Sequence, residues 1–227
     1  MEQYNGIILI DKPAGLSSFG VVARVRWLLS RQAGKKVKVG HTGTLDPFAT
    51  GLMIIVVGDY CKRASEFSKL DKSYTATIRL GQASSTGDPE GDITAVSDRQ
   101  PSEQEVQAAL KGFIGTIQQT PPSYSAIKIN GVLAYKLARQ GREVAMPTRQ
   151  VVVHKLKLLS YAYPFATIHC RVSSGTYIRT LAQDIGAQLQ TGAYVTELRR
   201  TRIGKFELKD ARQLDEDVSS LVPDLIK

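Results

Sequence analysis

Between Gly40 and Gly51 the chain reads GHTGTLDPFATG, and an unbroken apolar run, Leu52 to Val57, follows at once. The run is short and β-branched, which predicts a buried strand. A short basic strand is predicted before the loop, from Lys35 to Val39. The loop then joins two strands of one sheet, with Asp46 displayed at its tip. Three glycines, Gly40, Gly43 and Gly51, let the backbone approach a ligand closely or adopt positive φ. Pro47 fixes its own φ and biases Asp46 away from the helical region. One carboxylate held in this way suits nucleophilic or general-base chemistry. Asp-Pro in a Gly-rich stretch is also the composition of an ordinary turn, so spacing alone leaves both readings open. The loop lacks the Gly-Lys-Ser/Thr ending of a nucleotide phosphate loop. His41 and Asp46 are its only obvious metal ligands, so no metal site is expected.

The chain has 227 residues, with 42% hydrophobic residues and a net charge of +9. That length allows one large domain or two small ones. No internal repeat or linker divides the sequence, so a single domain over residues 1–227 is expected. No apolar run approaches membrane-spanning length. Ile7 to Ile10 is interrupted at once by Asp11 and Lys12, unlike a secretory signal, so a cytoplasmic protein with no membrane partner is expected. Cys61 and Cys170 form no CxxC pair and are expected as reduced thiols. The positive charge points to a polyanion, nucleic acid before membrane surface. Its clusters are Arg24/Arg26/Arg31, Lys35/Lys36/Lys38, Lys62/Arg63 and Arg199/Arg200/Arg202.

The periodicities predict a strand over Gly6–Ile10, then a helix over Phe19–Arg31 capped by Ser17 or Ser18. A helix is expected over Asp59–Lys69 and an alternating strand over Tyr74–Leu80. Gly81–Arg99 has the composition of a long loop. Ser102 and Glu105 form a capping-box pattern. Asn130-Gly131 is the strongest hairpin signal in the chain, and a helix over Ala134–Gln140 follows it. Val151–Tyr161 and Ala166–Ser173 are expected as antiparallel strands and Thr176–Gln190 as a helix. Val195–Phe206 is expected as a late strand carrying its charges outward, and the last twenty residues as a small helix and tail. Strands in pairs without a strict βαβ rhythm indicate an α+β class with a mixed, mainly antiparallel sheet.

Seven segments together resemble one family. They are GIILIDKPAGLSS (Gly6–Ser18), GHTGTLDPFATG (Gly40–Gly51), KSYTATIRLG (Lys72–Gly81), STGDPEG (Ser85–Gly91), QTPPSYSAIKINGVLAYKLARQG (Gln119–Gly141), SSGTYIRTLAQDIG (Ser173–Gly186) and TELRRTRIG (Thr196–Gly204). Each alone is weak; in this order they resemble the TruB-type tRNA pseudouridine synthases, which convert uridine 55 of the T-loop to pseudouridine. The resemblance implies the pseudouridine synthase catalytic fold, a central, mainly antiparallel sheet flanked by helices. It also implies tRNA as partner, through its T-arm, no cofactor and no metal. A monomer is expected.

The resemblance assigns roles residue by residue. Asp46 matches the catalytic aspartate; attack on the sugar, attack on the base and removal of a sugar proton all remain open for it. Tyr74 matches the tyrosine that stacks on the flipped uracil, and Arg179 the arginine that pairs with the catalytic carboxylate. Tyr177 and Leu198 match pocket-wall residues, and His41 the histidine that inserts into the T-loop. Lys12, Lys128, Arg139 and Arg149 lie in or beside matching segments and are expected as phosphate contacts. The segment from Pro121 to Met146 resembles the family's thumb-like insertion. Only residues 205–227 follow Gly204, too few for the family's common PUA-type domain, so a weaker grip on the acceptor arm is expected. Two alternatives stand beside an enzyme of this type: a tRNA-folding chaperone, and the catalytic core of an RNA-guided pseudouridine synthase.

Overall fold

The computed structural model describes residues 4–142 and 145–214. Along the chain the elements are β1 (Gly6–Lys12), α1 (Ser18–Ala33), β2 (Val39–His41), β3 (Thr50–Val57), a 3-10 turn (Gly58–Arg63), α2 (Ala64–Ser68) and β4 (Lys72–Leu80). A short hairpin, β5 (Gln82–Ser84) and β6 (Ile93–Ala95), precedes α3 (Glu103–Gly112) and β7 (Gly115–Gln119). Then come β8 (Lys128–Ile129), β9 (Val132–Leu133), α4 (Ala134–Arg139), β10 (Arg149–Ala162), β11 (Phe165–Val172) and α5 (Ile178–Gln188). The chain closes with β12 (Ala193–Ile203), β13 (Phe206–Glu207) and β14 (Arg212–Gln213). This is an α+β protein.

Two compact units are present: residues 1–73 with 199–227, and residues 74–198. The divisions fall inside β4 and inside β12. That is why no linker composition marks them in the sequence.

In the first unit the strands lie in the order β14–β1–β3–β12. β1 runs antiparallel to β3 from Gly6↔Val57 to Lys12↔Gly51, and β12 meets β3 in parallel at Arg199↔Thr50 and Arg200↔Gly51. Alternate residues of β1 and β3 serve two separate cores. Ile8, Ile10, Met53, Ile55 and Val57 pack with Val21, Val25, Leu28 and Leu29 of α1. Ile7, Leu9, Leu52, Ile54 and Val56 pack with Ile203 and Phe206. A strand covered on both faces reads as a continuous apolar run, which accounts for LMIIVV. Each buried Val or Leu of α1 contributes roughly 1.5–3 kcal/mol. Ser17 caps the helix by accepting the Gly20 amide at 3.0 Å. Gly51 has φ +107°, and a Cβ there would stand 2.3 Å from the Arg200 carbonyl oxygen, so only glycine lets β12 pair at this point.

In the second unit the order is β12–β4–β11–β10–β7. β10 pairs antiparallel with β11 and with β7. The predicted capping box forms at Ser102 and Glu105. Asn130 and Gly131 both take positive φ, +49° and +84°, in the turn between β8 and β9, as a two-residue hairpin requires. Ile178, Leu181, Ile185 and Leu189 form the buried stripe of the α5 segment.

Several expectations shift. Pairing with β3 begins at Val39, so the basic stretch before it is not a strand: Lys35, Lys36 and Lys38 are exposed. The helix expected over Asp59–Lys69 is a 3-10 turn followed by α2. The loop Gly81–Arg99 contains the β5–β6 hairpin. β7 has no strand signal in the sequence, because GTIQQ has only one strongly apolar residue. Cys61 and Cys170 are free thiols. The acidic tail beyond Leu214 lies outside the described residues. Among the described residues no helix is long and apolar enough to cross a membrane.

Candidate active site

The loop from Thr42 to Ala49 connects β2 to β3, which pair antiparallel. Asp46 sits within it, half-buried, and its carbonyl accepts the Ala49 amide at 3.1 Å, closing a tight turn. A loop so irregular leaves main-chain groups without a ladder partner, and buried ones need partners from elsewhere. Buried side chains supply them. Ser18 Oγ accepts from the Leu45 amide at 2.7 Å and donates to the Leu45 carbonyl at 2.8 Å. Lys12 Nζ donates to the carbonyls of Pro13, Leu16 and Pro47 at 2.7, 2.7 and 3.0 Å. The Gly15 amide donates to the same Pro47 carbonyl at 2.9 Å. From β12, Arg200 donates through Nε to the Leu52 carbonyl at 2.7 Å, and through Nη1 and Nη2 to the Thr44 and Gly43 carbonyls at 3.3 and 3.2 Å.

Two buried cations therefore hold the residues on either side of Asp46 by charge-assisted bonds. Lys12 has no exposed surface and Arg200 only 1%. This corrects the expectation for Lys12. Its ammonium is spent on loop carbonyls and cannot meet a phosphate. Arg200 likewise does not point outward as expected of the late strand. Arg199 does not stand free in solvent either; it pairs with the largely buried Asp11 at 2.7 Å.

The Arg200 charge affects two neighbours. The His41 imidazole is held below its ordinary pKa, mainly by burial and then by Arg200. Its Nδ1 is buried without a hydrogen-bond partner among the described residues. Lys72, whose ammonium donates to the Ser68 and Leu70 carbonyls at 2.8 and 2.6 Å, is lowered to about 8 by burial first and Arg200 second. No sequence signal distinguished Lys72 from any strand lysine.

In the second unit Arg179, near the start of α5, is buried. Its Nη1 donates to Asp88 Oδ2 and to the Thr86 carbonyl, both at 2.9 Å, and its Nη2 to the Tyr124 carbonyl at 2.8 Å. Asp88 is itself buried, and its Oδ1 accepts from Thr86 Oγ1 at 2.5 Å and from the Glu90 amide at 3.0 Å. Asp88 carries no expectation from the sequence. The signal that could have found it is an acid inside the small-residue segment STGDPEG, a turn composition able to fold around a carboxylate.

Tyr177 precedes α5, and the buried Gln119 side chain brackets it: Oε1 accepts the Tyr177 amide at 2.7 Å and Nε2 donates to its carbonyl at 3.0 Å. The Arg149 guanidinium lies 5.0 Å from the Tyr177 ring centroid and donates to the Gly175 carbonyl. Arg149 is thus tied to the turn that carries Tyr177. Tyr74 and Leu198 are each 7% exposed, on the adjacent strands β4 and β12. Lys128 and Arg139 are exposed, with Arg139 5.7 Å from the Tyr135 ring centroid. The structure thus groups Lys12, His41 and Asp46 in one unit. It groups Tyr177, Arg179 and Arg149 in the other, with Tyr74 and Leu198 on neighbouring strands.

Comparison with known proteins gives a consistent set of similarities. Residues 30–178 match the family described as TruB family pseudouridylate synthase (N terminal domain). Residues 179–221 match the tRNA pseudouridylate synthase B C-terminal domain. The chain is 40% identical to tRNA pseudouridine synthase B of Opitutus terrae over 227 residues, covering 100% of this chain and 92% of that protein. It is 46% identical to the protein of the same name from Bacteroides thetaiotaomicron over 210 residues, covering 90% and 88%. Among solved structures, a Cbf5-Nop10-Gar1 complex aligns with TM-score 0.74 and 28% identity, over 96% of this chain and 55% of that one. A pseudouridylate synthase at 16% identity and TM-score 0.50, aligned over 98% of this chain and 74% of that one, shares the fold.

Proposed function

The chain belongs to the TruB family of pseudouridylate synthases, and from that premise we propose that it isomerises uridine 55 in the T-loop of tRNA to pseudouridine. The 40% identity to a tRNA pseudouridine synthase B across the whole chain carries this reading. The chemistry detaches uracil from C1′, turns it and rejoins it through C5. It needs one carboxylate fixed beside the sugar and base. A loop whose carbonyls are held by Lys12, Ser18 and Arg200 supports such fixity for Asp46.

In this reading the target uridine leaves the stack and its base is received by Tyr74, with Tyr177 and Leu198 lining the pocket. Arg179 orients the catalytic carboxylate, and Asp88 orients Arg179. His41 supports the opened T-loop as a neutral imidazole, in keeping with its lowered pKa. Lys128 and Arg139, exposed on the segment between Pro121 and Met146, and Arg149 contact phosphates. The enzyme works as a cytoplasmic monomer without metal or cofactor.

Tritium release from a tRNA transcript labelled at C5 of uridine tests this. About one equivalent per tRNA is expected, lost when uridine 55 is replaced. Tight binding without release would favour the chaperone alternative. The RNA-guided alternative makes a different prediction in the same assay. Release from free tRNA with no guide RNA present would dismiss it.

A further inference from the structure

We propose that the outer face of α1 is a second RNA-contact surface, holding backbone phosphates on Arg26 and Arg31 and a stacked base on Trp27 or Phe19. It rests on the function proposed above and adds a place where the RNA is gripped. From Pro13 to Leu45 the chain has no Asp or Glu, yet it carries Arg24, Arg26, Arg31, Lys35, Lys36 and Lys38. The structure separates this cluster from the other basic ones. Arg199 pairs with Asp11, Lys62 with Asp59 and Arg63 with Glu66. Arg200 is buried on carbonyls. Among the described residues, Arg26 and Arg31 of α1 have no acidic partner.

The same helix shows two large aromatics. Phe19 is 67% exposed and Trp27 58%, although Val21, Val25, Leu28 and Leu29 already fill the core side. Both rings lie outside that core and present most of their surface to solvent. A guanidinium lies beside each: Arg26 is 5.9 Å from the Phe19 ring centroid, and Arg31 5.4 Å from that of Trp27. Cations interleaved with flat apolar faces suit single-stranded RNA, whose phosphates and bases alternate in the same way. An acidic protein segment would satisfy the charges but has no general use for the rings.

A groove of about 610 Å³ is lined by Arg24 and Trp27 of α1 together with Pro13, Leu16 and Leu214. Pro13 and Leu16 are the residues whose carbonyls hold Lys12, and Lys12 holds Pro47. The groove thus borders the support of the Asp46 loop.

Two variants of the full chain, R26E/R31E and F19A/W27A, test the surface against an unmodified tRNA transcript between about 50 and 200 mM salt. R26E/R31E is expected to raise Kd at least tenfold and to lower the salt slope by about one to two units. F19A/W27A is expected to raise Kd about tenfold with the slope unchanged, as lost stacking does. Both should keep the wild-type thermal midpoint and the wild-type tritium-release rate at saturating RNA. Kd within twofold of wild type for either variant would overturn the proposal. So would displacement of tRNA by polyglutamate as effectively as by unlabelled tRNA. Wild-type protein that binds tRNA through this face but releases no tritium would instead strike the proposed enzymatic function.

Discussion

Arg179 and Asp88 form a buried ion pair, Nη1 to Oδ2 at 2.9 Å, with both side chains about 95% shielded from solvent. Each has further hydrogen bonds, Arg179 to the Thr86 and Tyr124 carbonyls and Asp88 to Thr86 Oγ1 and the Glu90 amide. These bonds offset a desolvation cost of several kcal/mol per ion. Asp88→Ala is expected to destabilise the fold by about 3–5 kcal/mol, since it strands a buried guanidinium. Asp88→Asn keeps the shape and loses the charge. It is expected to slow single-turnover isomerisation strongly while tRNA Kd stays near wild type. Denaturant unfolding beside single-turnover tritium release checks both; normal turnover in Asp88→Asn would remove Asp88 from any role in orienting Arg179.

Asp46→Asn is expected to abolish turnover and to spare tRNA binding. The substitution is nearly isosteric and leaves the Lys12, Ser18 and Arg200 bonds to the loop in place. Filter binding and tritium release on the same preparation measure the two properties separately. Residual turnover near the wild-type rate would exclude Asp46 as the catalytic group.

Arg200→Lys is expected to lower kcat while leaving tRNA Kd within a few-fold, because one ammonium cannot reach three carbonyls that a guanidinium fork spans. Arg200→Met is expected to be less stable than wild type, since it leaves loop carbonyls without donors, at about 1–3 kcal/mol for each buried one. A crystal structure of Arg200→Lys would show the loop from Gly43 to Thr44 displaced. An unmoved loop with wild-type kcat would show that Arg200 fills space only.

Lys72 gives a pH dependence of known sign. Its folded-state pKa is about 8 against 10.5 for an ordinary lysine. Between those values the unfolded chain holds more protons, so the Lys72 contribution to stability rises with pH from about 8 to 10.5. The full change amounts to about 3 kcal/mol. Cys170, pushed up to about 12 by burial, works in the opposite direction above its ordinary value of 9.0. Comparison with Lys72→Met cancels that effect. The stability difference, wild type minus variant, is expected to grow from pH 7.5 to pH 9.5 in urea unfolding; a constant difference would mean that Lys72 is not desolvated.

Much of the α+β pattern was determined by the sequence itself. LMIIVV, Ser17, the Ser102–Glu105 box and Asn130-Gly131 fix their strand, caps and turn by local chemistry. Each depends on residues only a few positions apart, so the signal survives without the fold. The loop around Asp46 was legible for the same reason: its glycines permit a tight, irregular backbone and Pro47 restricts the residues beside it, wherever the loop lies. β7 escaped because its residues are mostly polar, and it exists through the ladder that β10 offers. Sequence position also could not decide where each cation is used. Lys12, Arg26 and Arg200 are alike as charges along a chain. Tertiary structure buries Lys12 and Arg200 against the carbonyls of one loop and leaves α1 to present Arg26 beside an exposed ring. The reason is physical. A buried charge is defined by the donors and acceptors that surround it, and those come from residues 35, 148 and 156 positions away.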